Sequence, residues 1–307
     1  MIHTVASWWM WLAFTVVVVA MLAVDLGVAQ RKAHTVGARE AAVWSAIWVA
    51  VSLAFNAFVY AQAGKISGLE FLTGYIIEKA LSVDNLFVFF VLFNYFAVPG
   101  ELQHRVLFWG ILGAIVIRGA FIFVGTALIS MFHWVIYVLG AFLIVTGVKI
   151  LFASDEKVEP ENNPVLKLAR RFLPLTPAYD GQQFLTRRDG RWLATPLLLV
   201  LIVIETTDIV FAVDSIPAVL AVTTDPFIVM TSNIFAILGL RALYFLIARI
   251  IDRMRYLKLG LGVVLAYVGV KMVITDFVKI PVQISLSIVV GILALSALAS
   301  VFVRPQR

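Results

Sequence analysis

Nine apolar stretches, separated by mostly short polar connections, run along the chain at 8–28, 41–61, 69–96, 106–128, 131–152, 194–221, 227–247, 259–276 and 282–303. Each is long enough for a helix to cross a hydrocarbon core of about 30 Å. Inside lipid a backbone must bond to itself, so the pattern predicts helices. Barrel strands would alternate apolar and polar residues, and runs such as Thr15 to Ala20 do not. The predicted fold class is all-α, a polytopic membrane protein of about nine transmembrane helices forming a single membrane domain over 1–307. The first stretch has no Lys or Arg before it, contains Asp25 and is followed by further spans, so it is expected to be retained.

Composition agrees. With 62% hydrophobic and 14% charged residues, the chain cannot cover a water-exposed surface. The net charge of +6 would suggest nucleic acid as a partner of a soluble protein. Here the basic residues report topology instead, and no nucleic-acid partner is expected. Of 24 Lys and Arg residues, 17 fall on one side of the nine-helix arrangement: in 29–40, at Arg105, in 153–193, in 248–258 and in the tail. The other side holds only Lys65 and Lys279. The positive-inside rule then puts the N-terminus outside and the C-terminus in the cytoplasm, across a bacterial inner (plasma) membrane. The chain has no cysteine, which excludes disulfides and thiolate metal sites.

The chain also repeats itself. Val83-Asp84 recurs as Val213-Asp214, and six residues before these aspartates lie Glu78 and Asp208. Ile111-Leu112-Gly113 with Arg118 is echoed by Ile237-Leu238-Gly239 with Arg241. Gly140 and Gly147-Val148-Lys149 match Gly262 and Gly269-Val270-Lys271 at the same spacing. The unit is three helices, 69–152 and 194–276. Because three is odd, the second copy enters the membrane from the opposite side, an inverted repeat of the kind that places transport sites at its interface. Between the copies lies 153–193, a cytoplasmic loop broken by four prolines, in which Pro164–Leu173 has the pattern of a short basic amphipathic helix.

Within apolar surroundings, the third span carries Glu78, Lys79, Ser82, Asp84 and Asn85, and the sixth carries Glu205, Asp208, Asp214 and Ser215 ahead of Pro217. An ionised side chain at the bilayer centre costs about 2.5–3.5 kcal/mol on insertion scales, so these carboxylates must face each other, a cation or water. Pairing with Lys79, Arg118, Lys149, Arg241 and Lys271 would merely lock helices together, although Lys149 and Lys271 lie near helix ends and are expected to snorkel. Carboxylate, amide and hydroxyl oxygens otherwise form a hard donor set suited to Mn²⁺, Ca²⁺ or Mg²⁺. Six residues along a regular helix means a rise of about 9 Å and faces about 120° apart. Glu78 and Asp84 therefore cannot share one ion on an unbroken helix, nor can Asp208 and Asp214. Either the helices unwind near Asp84 and Asp214, the preferred expectation, or the acids form a ladder. Glu205 and Asp208 share a face. Asn233 is a further candidate ligand, and Asp25 a candidate gate, proton carrier or snorkelling residue.

Three motifs resemble the TerC family of integral membrane proteins, its Alx-like branch most of all. They are Glu78-Lys79-Ala80-Leu81-Ser82-Val83-Asp84-Asn85, Glu205-Thr206-Thr207-Asp208 with Phe211 to Pro217, and Thr231-Ser232-Asn233 through Arg241. The resemblance implies manganese efflux, links to tellurite resistance and alkaline pH, and a cation path over Glu78, Asp84, Asn85, Asp208 and Asp214. The expected partners are a divalent metal ion, protons and the lipid bilayer, with no resident cofactor and no enzymatic activity. A lysine-exporter-like carrier of a small organic cation and a non-transporting stress-response scaffold are the alternatives.

Overall fold

The computed structural model describes residues 4–29, 37–152, 164–188, 190–248 and 255–302. The described helices are α1 (Trp8–Ala29), α2 (Ala38–Tyr95), α3 (Gly100–Met131), α4 (Val135–Phe152), α5 (Pro164–Phe172), α6 (Pro196–Leu220), α7 (Pro226–Leu238), α8 (Leu240–Ile247), α9 (Arg255–Val273) and α10 (Val282–Phe302). One hairpin, β1 (Leu185–Arg188) and β2 (Arg191–Ala194), joins them. The protein is an all-α polytopic membrane protein. Seven of these helices are long and apolar enough to cross a membrane, and α7 with α8 passes as one broken span.

Two predicted spans are fused in α2, whose 58 residues break only at Gly64, with φ 89° and ψ 172°. A left-handed φ favours glycine, which has no Cβ to clash. The chain folds back there. A Cβ on Gly68 would lie 2.9 Å from Tyr60, and the Phe55 and Phe71 rings stand 5.8 Å apart. In one continuous helix those rings would be separated by about 24 Å. The two antiparallel arms, 38–63 and 65–95, thus recover the second and third predicted spans, and the described crossings match the nine expected.

Apolar faces are divided between protein and lipid. On α1, Met10, Phe14, Val18 and Met21 are buried at helical spacing, whereas Trp8, Leu12, Val16 and Val19 are exposed. Trp11 meets Phe227 edge-on at 5.0 Å, which seats α1 on α7. The Asp225 carboxylate secures this end twice. It caps α7 by accepting from the Phe227 and Ile228 amides (2.9 and 3.3 Å), and it accepts from Thr4 Oγ1 at 3.1 Å and the Val5 amide at 2.6 Å.

Helices α4 and α9 pack backbone to backbone. A Cβ on Gly147 would lie 2.6 Å from the Gly262 carbonyl, and one on Gly269 would lie 2.6 Å from the Gly140 carbonyl. Small residues at such crossings allow close van der Waals contact, a main source of cohesion where lipid removes the hydrophobic drive.

One expectation changes. The helices do not unwind at the acids: α2 is helical through Asp84 and α6 through Asp214, with Pro217 accommodated inside α6. The break falls instead at Gly239, where α7 and α8 meet at 45°. There the Lys79 ammonium donates to the Ala236 carbonyl at 2.9 Å, an acceptor that a continuous helix would have bonded internally. The 153–193 connection carries structure of its own. The predicted amphipathic helix is present as α5, with Leu166 buried, and the β hairpin follows it in the chain. Tyr179 donates to the Phe96 carbonyl at 2.7 Å, tying the connection to the end of α2.

Candidate cation site

Arg118 is fully buried in the middle of α3, on the stripe formed by Ile111, Ala114, Ile122 and Thr126. Opposite it, α6 presents Asp208, Ala212 and Ser215 on one face, the small residues letting the helices approach. The guanidinium donates to Asp208 through two nitrogens, Nε to Oδ2 at 3.2 Å and Nη2 to Oδ1 at 2.9 Å. Its Nη1 donates to Ser215 Oγ at 3.2 Å and also binds Glu78 Oε1, from the second arm of α2. Glu78 is fully buried and Asp208 nearly so. Two acids at corresponding places in the sequence motifs thus meet around one positive group.

That group does not saturate them. Two carboxylates and one guanidinium leave one formal negative charge, and Glu78 Oε2 has no hydrogen-bond partner among the described residues. Glu205, one turn before Asp208, lies against Gly113, and its Oε2 is likewise unpartnered. Asn233 is fully buried on α7, with neither amide atom bonded. Orphaned polar atoms at such depth are costly in any protein, and native structures supply them with water, ions or partners.

The other candidates lie elsewhere. Asp214 faces α4, where Thr146 Oγ1 approaches at 3.5 Å and Lys149 is its nearby cation. This follows from the six-residue spacing: Asp208 and Asp214 occupy different faces, and each finds its own neighbour. Asn85 is buried. The Asp84 side chain lies outside the described residues. Asp25 does not snorkel; it is buried and meets Arg241 Nη2 at 2.5 Å. Lys271 is half-buried, with Ser285 Oγ at 3.4 Å, whereas Lys149 is exposed. Among the described residues, no three His, Cys, Asp or Glu side chains are grouped as a metal cage.

Sequence reasoning counted Arg118 among possible partners but did not place it between Glu78 and Asp208. The matched Arg118 and Arg241 motifs carried that signal, because both arginines prove to hold buried acids. It missed a second cluster entirely. Beyond the end of α9, Asp276 accepts from the Tyr137 hydroxyl and lies 2.8 Å from His133 Nε2. The Tyr137 hydrogen bond, and then that of His133, hold the Asp276 carboxyl below its ordinary value.

Comparison with known proteins is consistent with these motifs. The profile of the Integral membrane protein TerC family matches residues 63–307. A Myxococcus xanthus protein named "Uncharacterized membrane protein STKORF319" is 54% identical over 97% of this chain and 93% of its own length. The Salmonella typhi protein named "Putative membrane-bound redox modulator Alx" is 49% identical over 99% of this chain and 98% of its own. Its Escherichia coli K12 namesake is 48% identical over 98% and 97%. No solved structure matches. With the profile covering most of the chain and relatives about half identical along nearly its whole length, the chain belongs to the integral membrane protein TerC family.

Proposed function

We infer that this protein exports a hard divalent cation, Mn²⁺ by its family resemblance, in exchange for protons, along a path between the second arm of α2 and α6. The observation that carries this reading is the meeting of Glu78, Asp208 and Ser215 oxygens, from two different helices, around one buried positive group. A mere lock between helices would leave no surplus. Here one formal charge and the unpartnered Glu78 Oε2, Glu205 Oε2 and Asn233 amide remain. Hard oxygens of this kind suit Mn²⁺, and carboxyl groups in low dielectric can trade a metal ion for protons. The family resemblance also assigns Asp84, Asn85 and Asp214 to the path.

The glycine pairs support the inverted repeat. Gly140 corresponds to Gly262 and Gly147 to Gly269, and the contacts are crossed: Gly140 with Gly269, Gly147 with Gly262. Crossed pairing of corresponding positions is the mark of a two-fold axis. Between antiparallel helices such an axis is perpendicular to them, hence in the membrane plane. The charge distribution supports a cytoplasmic C-terminus, and the bacterial relatives support an inner-membrane location.

Flux into proteoliposomes tests the function. Wild type is expected to move Mn²⁺ against the direction in which protons run down their gradient, and E78Q, D84N, D208N and D214N variants that remain folded are expected to lose this flux. Unchanged flux in all four would refute the assignment. One alternative gains from the same site, since two carboxylates gripping a guanidinium would also suit a small organic cation. Competition between lysine and Mn²⁺ for binding separates the two. The relatives' redox name does not point to thiol exchange in this chain, which has no cysteine.

A further inference from the structure

We propose that Arg118 is a tethered substitute cation, which occupies the ion position between Glu78 and Asp208 whenever the transported ion is absent and swings aside when it arrives. This rests on the transport reading above and concerns how the same site empties.

The geometry requires a choice of occupant. Arg118 reaches Glu78 Oε1, both Asp208 oxygens and Ser215 Oγ. Those four oxygens are the ones a hard ion would take at about 2.0–2.6 Å. A guanidinium and a metal cannot bond the same lone pairs at once. Arg118 is therefore a competitor built into the chain.

The electrostatics give the competitor a purpose. If a divalent ion simply left, two ionised carboxylates would face each other in low dielectric, a state costly enough to hold the ion in place. A guanidinium returning to Asp208 neutralises one of them as the ion departs. A single proton then suffices for the other. Arginine suits this task because it stays charged in the interior and its planar fork matches a carboxylate. The unpartnered Glu78 Oε2 is consistent with a site that one positive charge only half satisfies.

The test uses the full-length purified chain, with Mn²⁺ as the probe. In R118Q, Mn²⁺ should bind about tenfold more tightly or better, because the internal competitor is gone. Exchange of Mn²⁺ for Mn²⁺ across the proteoliposome should persist, whereas net efflux into metal-free medium should fall by about tenfold or more. If R118Q does not assemble, R118K carries the test. It keeps the charge but loses the fork on Asp208, so Mn²⁺ should bind several-fold more tightly with net efflux retained. The proposal is overturned if net efflux in R118Q equals wild type, if folded R118Q loses binding and exchange alike, or if R118K binds no more tightly than wild type. A wild-type chain that neither binds nor moves Mn²⁺ would instead refute the transport reading, and the role of Arg118 with it.

Discussion

The carboxylate of Glu205 occupies the space that Gly113 leaves open: a Cβ on residue 113 would stand 2.1 Å from Oε1 and 2.3 Å from Oε2. G113A must therefore push Glu205 away from α3. Overpacking of this kind costs about 1–3 kcal/mol, at the lower end here because the end of a flexible side chain can move. The expected outcome is a folded protein with Mn²⁺ flux reduced several-fold, read in proteoliposomes beside a thermal melt. Undiminished flux would show that the position of Glu205 does not matter to transport.

Asp25 and Arg241 join α1 to α8 through a buried pair at 2.5 Å. Removing one partner strands the other in low dielectric, which costs about 3–5 kcal/mol. Melting of D25N and of R241M should show large losses, and the double variant D25N/R241M should recover part of them. Losses that simply add would mean the two side chains act independently.

At the crossing of α4 and α9, G147L places a side chain where the Gly262 carbonyl and the Ala266 amide already stand, each 2.6 Å from the would-be Cβ. Backbone cannot yield as a side-chain tip can. This variant should melt far below G291L, since a Cβ on Gly291 would meet nothing within 4 Å. Equal melting temperatures would mean that the helices separate without cost.

Asp276 sets a pH dependence at the loop after α9. Its carboxyl is depressed below the ordinary 3.8, first by the Tyr137 hydroxyl and then by His133. A depressed acid contributes stability above its unfolded value, and that contribution is lost as pH falls through the folded one. Emission of Trp134, beside His133, should therefore hold steady from neutral pH down to about 4 and shift only below it. In D276N the acid transition should disappear. A wild-type shift centred near neutral pH would assign the change to another group.

Much of this was readable from the residues. Spans of about 20 apolar residues leave little choice in lipid, so their number and order followed directly. The pairing of the acids did not. A six-residue spacing puts Asp208 and Asp214 on different faces, and sequence alone offers two remedies: unwinding the helix or giving each acid its own partner. The protein takes the second, with Arg118 from α3 for Asp208 and Thr146 from α4 for Asp214. Which span neighbours which is a tertiary fact, absent from any single helix. The break at Gly239 was hidden because glycine is common within membrane helices. The β hairpin had a local sign, Asp189-Gly190 between strand-like residues, overlooked beside the prolines of 153–193.

The four donors gathered by Asp225 have a bearing on assembly during synthesis. Thr4 and Val5 are made some 220 residues before their acceptor. The N-terminal end of α1 therefore stays unfastened while α2 to α6 are made. Only when α7 begins does one carboxylate both start that helix and clasp the approach to α1.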